Sequence, residues 1–196
     1  MSSCESFFGV IVRRMPAAAR YLLLAQIAFW SAMLLCLAIA HGGLGDNHGF
    51  SFYGGRLSTI LPYAIGFLAA AALITQAAAL LDRSGRSRLA AGLRILVVLL
   101  LADLLTPDTL GSAFYAAHIA ASIALFLFEA VFGLWLVTAV VSTAASIRLY
   151  ATQITGGVVA GLSQLQWIGL LSLGIFVFQV AFGALLVIVV ASLPDR

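Results

Sequence analysis

The chain has 196 residues, 63% of them hydrophobic and 9% charged, with a formal net charge of +3. Soluble domains carry about 25% charged residues, so this composition excludes a soluble globular fold and calls for lipid as solvent. The apolar runs are continuous over about twenty residues rather than alternating, which also excludes a transmembrane barrel. What is left is an all-α, polytopic helical bundle forming a single domain over residues 1–196.

Measured against the ~20 apolar residues needed to cross the hydrocarbon core, five spans are predicted. They are residues 21–40, 59–81, 89–105, 114–141 and 167–193. The third is short and contains Arg94. Residues 151–166, rich in Thr, Gln, Ser and Gly, read as an interfacial or re-entrant approach to the last span, or as an extension of its helix. Ahead of the first span, Arg13 and Arg14, an apolar run and Ala38-Ile39-Ala40 have the outline of a signal peptide. The run is longer than the ~7–15 residues of such an apolar core, so the segment reads as a retained span.

Arginine placement orients the spans. Arg13, Arg14 and Arg20 precede the first, Arg83, Arg86 and Arg88 lie between the second and third, and Arg148 lies between the fourth and fifth. With five spans these seven share one side, against Arg56 and Arg196 on the other. The expectation is a bacterial inner-membrane protein with its N-terminus cytoplasmic and its C-terminus outside. The five tyrosines and Trp167 fall at span ends, where an aromatic belt belongs, while Trp30 and Trp135 should pack between helices. Cys4 and Cys36 fall at different depths, so no disulfide is expected.

A seventeen-residue stretch occurs twice. Residues 126–142 read FLFEAVFGLWLVTAVVS and residues 176–192 read FVFQVAFGALLVIVVAS, identical at eight positions, with Glu129 matched by Gln179. Phe126, Glu129, Gly133, Leu136 and Val140 recur at helical spacing, as do Phe176, Gln179, Gly183, Leu186 and Val190. In five spans the two copies run in opposite directions. An antiparallel crossing would set Glu129 against Gln179, with Gly133 receiving the Phe176 ring and Gly183 the Phe126 ring.

Glu129 is the acid placed deepest in the apolar runs, and such groups face a bundle interior. Three states are open to it: a neutral acid bonded to Gln179, an ion pair with Arg94, or a site lining a water-filled path. His118, Ser122, Leu125 and Glu129 share one helix face, the arrangement a proton relay needs and also one that unrelated polar positions produce. On the outer side His41, Asp46, His48 and His118, with Asp103 and Asp108 nearby, supply metal-ligand donors, but at a spacing that matches no metal motif.

Catalytic, nucleotide-binding and haem signatures are absent, which points away from an enzyme, and no cofactor or nucleic-acid partner is expected. Short loops leave little soluble mass for chemistry. Such a chain suits an accessory or scaffold subunit whose partners are the bilayer and other membrane subunits or further copies of itself. A small proton-coupled transporter using Glu129, Gln179 and His118 is the second expectation, and an enzyme with an outer-face His/Asp site the third.

Overall fold

The computed structural model describes residues 15–41, 49–106 and 112–194. Among these the chain is all helix and no strand. In order come α1 (Ala17–Ile39), the short α2 (Ser51–Gly54), α3 (Ile60–Arg83), α4 (Ser87–Leu105), α5 (Ser112–Trp135), α6 (Ala144–Gln164) and α7 (Leu171–Ala191). A π-helical turn, Leu136–Val140, closes α5. Four stretches are long and apolar enough to cross a membrane: Ala17–Ile39, Ile60–Arg83, Ala113–Val140 and Leu171–Ala191.

Local sequence sets the helix ends. Gly85, at φ 77°, terminates α3, and the Arg86 backbone N–H then bonds back to the Leu81 carbonyl at 2.9 Å, the left-handed stop that glycine favours. After the π turn, Thr143 and Ser146 cap each other's backbone N–H groups and start α6.

The six long helices form a closed up-and-down ring in which each packs on its neighbours in sequence and α7 returns to α1. Cross-helix contacts fix their directions. Gly92 meets Phe132 while Asp103 meets Ser122, so α4 and α5 are antiparallel. Gln26 meets Gly183 and Trp30 meets Phe176, so α1 and α7 are antiparallel as well. The α5–α7 pairs are Phe126 with Phe178, Glu129 with Gln179 and Phe132 with Phe182, all rising together. These two helices are therefore parallel.

This corrects the sequence reading at its root. Residues 151–166 lie almost wholly within α6, a full-length helix that runs the height of the bundle and returns the chain before α7 begins. The expected antiparallel pair of repeats becomes a parallel pair. The end of α7 lies beside the α3–α4 turn, where the Arg86 guanidinium donates to the Pro194 carbonyl. The C-terminal end of the last helix thus sits at the arginine-bearing end of the bundle, not at the opposite one.

α6 and α7 approach to backbone contact through small residues. A methyl at Gly156 would lie 2.5 Å from the Phe178 amide nitrogen, and one at Gly174 would overlap the Ala160 backbone. Gly156 and Ala160 are four residues apart, the spacing that lets helices meet closely in lipid. Gly157 and Gly161, at the same four-residue spacing, are one residue out of register with this contact: nothing lies within 4 Å of a methyl added at Gly161.

At the arginine-bearing end (the basic end) the core is continuous. Leu22, Leu81, Leu93, Leu96, Leu136 and Leu185 are all completely or nearly completely buried there. At the distal end a smaller cluster joins Met33, Cys36, Tyr63 and Phe67 to Tyr53 of α2. Trp30 packs edge-on to Phe29, Phe50 and Phe176, and Trp135 stacks on Phe132, as expected for interior tryptophans. Trp167, in the α6–α7 turn at the distal end, is 74% exposed.

Candidate functional site

Between the distal halves of α4, α5, α6 and α7 lies a cleft of about 470 Å³. The small residues Gly157, Ala160 and Gly161 keep the α6 wall low, and Gly49 and Phe50 cover the cleft next to α2. Its walls carry six aromatic rings: Phe29, Phe50, Tyr63, Phe67, Tyr115 and Phe126. Ile123 and Leu127, which also line it, are 55% and 63% exposed, so one rim is apolar and open at the side of the bundle.

One polar group of the cleft is built from α4 and α5. Ser122 Oγ donates to Asp103 Oδ1 at 2.5 Å and lies 3.5 Å from His118 Nε2. His118 Nδ1 faces the same Asp103 Oδ1 at 3.6 Å, beyond a closed hydrogen bond, and has no partner although it is buried. The His118 and Asp103 side chains are 8% and 12% exposed. The helical spacing of His118 and Ser122 is what aims both at Asp103 across the α4–α5 interface.

A second polar group lies at the floor. Gln179, which lines the cleft, donates through Nε2 to Glu129 Oε2 at 2.7 Å. Gln153 on α6 donates through its own Nε2 to the Glu129 backbone carbonyl at 3.1 Å. Glu129 and Gln153 are 2% and 0% exposed. Glu129 is therefore behind the cleft, touching it through one amide. Gln153 Oε1 is buried without a partner.

The Glu129–Gln179 contact expected from the repeat is present, but the glycines serve differently from expectation. Gly133 seats the Gln153 amide, whose Oε1 would be 2.6 Å from an added methyl, and Gly183 seats the Gln26 amide. Each copy thus holds a glutamine of a neighbouring helix where a phenylalanine ring was expected. Phe126 instead stacks on Phe178 with centroids 4.7 Å apart, and Phe176 meets Trp30 at 4.9 Å.

Arg94 does not join this group. Its guanidinium pairs with Asp82 at 2.7 Å on the bundle surface, with the two side chains 54% and 40% exposed, which removes the Arg94–Glu129 ion pair. His118 and Glu129 are not in contact; eleven residues of helix place them roughly 16 Å apart along α5. Of the metal-donor candidates, Asp46, His48 and Asp108 lie outside the described residues, and His41 is exposed at the end of α1. Among the described residues no three His, Cys, Asp or Glu side chains converge.

Gln153 was not singled out in the sequence. The signal was there: a glutamine one turn before a glycine pair, Gly156-Gly157, repeats the polar-then-glycine spacing of Glu129–Gly133 and Gln179–Gly183. It was obscured because residues 151–166 did not read as a membrane-depth helix.

The class these features define is a membrane-embedded helical bundle with a polar, aromatic-walled cleft in one half. No protein-family model, no curated protein and no solved structure matches the chain.

Proposed function

We propose that all six long helices cross a bacterial inner membrane with both ends of the bundle's chain in the cytoplasm, and that the protein is a small proton-coupled carrier. Its substrate enters the cleft from the outer half of the bilayer. Glu129 is the exchangeable proton site, reached from the cleft through Gln179. The topology is supported by arginine placement. With six crossings Arg13, Arg14, Arg20, Arg83, Arg86, Arg88, Arg148 and Arg196 fall on the cytoplasmic side and Arg56 alone outside, a sharper bias than five crossings allow.

The observation that carries the carrier reading is the floor of the cleft. A buried carboxyl group at membrane depth is costly, and here it accepts a hydrogen bond from Gln179, an amide that also lines the cleft. Besides holding α5 to α7, that bond links the buried carboxyl group to the cleft, which is what a proton-exchange site needs. The scaffold reading rests instead on the short loops, and it is tested alongside.

Two measurements test the proposal. In intact cells, a cysteine at Ile119, a half-buried cleft residue, should react with a membrane-impermeant maleimide, and one at lipid-facing Val131 should not. Normalised to the thiolate fraction of a free thiol at each pH, the Ile119→Cys rate should still vary with pH, and that residual variation should vanish once Glu129→Gln is added. Absence of labelling at Ile119→Cys, or a pH response indifferent to Glu129→Gln, sinks the carrier. Mild-detergent purification with mass spectrometry is the second measurement. A stoichiometric complex with other membrane chains would establish the scaffold instead.

A further inference from the structure

The cleft's chemistry selects its ligand. Among the described residues the charged side chain that lines it is Asp103; no arginine does, and the chain contains no lysine. An anion would meet this carboxylate with only the His118 imidazole beside it. A neutral ligand could add a hydrogen bond to the one from Ser122 but would leave the carboxylate's charge unpaired. A cation removes the deficit.

The number of donors on that cation also follows. Asp103 Oδ1 and His118 Nδ1 are 3.6 Å apart, and the nitrogen is buried and unpartnered while belonging to a residue that lines the cleft. In the neutral imidazole whose proton is on Nε2, these are two acceptors side by side. A primary ammonium has three N–H donors and spans two acceptors at this separation. A quaternary ammonium carries the same charge and can satisfy neither.

The walls and rim add the third element. Ring faces of Tyr63, Phe67, Tyr115 and Phe126 suit both an apolar body and a cation. The exposed apolar rim at Ile123 and Leu127 opens at lipid depth, so a ligand partitioned into the outer leaflet has a direct approach. The cleft's ~470 Å³ falls in the range of small-molecule pockets.

We infer that the ligand is an amphiphilic primary amine, bound as its ammonium between Asp103 and His118 with its apolar portion among the aromatic rings. This rests on reading the cleft as the substrate site, and it adds the ligand's charge and donor count.

The test compares four probes of one shape on the purified full chain: 2-phenylethylamine, its N,N,N-trimethyl derivative, 2-phenylethanol and 3-phenylpropionate. The primary amine should bind at least ten-fold more tightly than the alcohol or the carboxylate, with the trimethyl compound between. Asp103→Asn should cut amine affinity ten-fold or more while leaving the alcohol unchanged, and His118→Phe should bring the primary amine down to the level of the trimethyl compound. Equal or tighter binding of the carboxylate or the alcohol overturns the inference, as does binding of none of the four. The wild-type series stands even where a variant fails to fold. Labelling at Ile119→Cys separates the two failures: a labelled cleft that prefers another probe overturns the ligand class alone, whereas an unlabelled cleft overturns the site.

Discussion

The two halves of the bundle are built on opposite principles. The basic half is filled by leucine and valine side chains from α1, α3, α4, α5 and α7 that interlock across the axis. The distal half spends the same cross-section on glycine, alanine and aromatic rings, and the space left over is the cleft. Glu129, Gln153 and Gln179 lie at the seam. The contrast teaches that small residues leave room between closely packed helices at the distal end, whereas branched side chains fill the same space in the basic half.

Packing gives the largest effect that would break this contrast. Leu185 is fully buried in the basic half, and Leu185→Ala should cost about 2 kcal/mol. Most of that is lost van der Waals contact, since lipid is as apolar as the core. Ile175→Ala, which only enlarges the cleft wall, should cost below ~0.5 kcal/mol. Thermal unfolding of both variants in one detergent checks the difference. Equal losses would mean that the distal half is as tightly packed as the basic one.

The seam comes next. Glu129→Ala strands the Gln179 amide in a dry interior, and membrane hydrogen bonds of this kind are worth about 1 kcal/mol. Glu129→Gln keeps a hydrogen-bonding partner of the same size and should stay within ~0.5 kcal/mol of wild type. Unfolding measurements that found the two variants equally destabilised would show that charge, rather than hydrogen bonding, holds the seam.

How much of this was legible in the sequence depends on what each residue's neighbours do with it. Helical class and membrane residence followed from composition, because these are properties of apolar length. The repeat pointed to the Glu129–Gln179 pair, but through an antiparallel crossing that is in fact parallel. The standing of α6 followed from neither. Thr152, Thr155 and Ser163 lower its hydropathy, yet each hydroxyl donates to the carbonyl one turn back, at 3.0, 2.9 and 2.8 Å. Such bonds satisfy the polar group within the helix itself. The Gln153 Nε2 finds its acceptor on another helix, which no local window can show. Without a separate helix over these residues the direction of α7 came out reversed, and with it the end of the bundle at which α7 finishes. Asp103–Ser122–His118 was half visible: the His118–Ser122 spacing lies on one helix, while its acid comes from α4.

Smaller effects sharpen the comparison at the two ends. At the basic end Arg94→Gln removes a surface pair that is about half exposed, so solvent screening limits the loss to ~0.5 kcal/mol or less. A larger loss in unfolding assays would place that pair in the core. At the distal end Tyr53 is the buried residue of α2, and desolvation pushes its phenol above the ordinary value of 10.0. Its neutral form is thus favoured in the folded state more than in the unfolded one. The sign follows from linkage: this contribution is fully present below the unfolded value, and it is lost as the pH rises through the folded one. Tyr53→Phe should therefore leave stability near neutral pH almost unchanged and flatten its decline in the alkaline range. An unchanged alkaline slope in pH-dependent unfolding would mean that the cap over this half is as open to water as the cleft beside it.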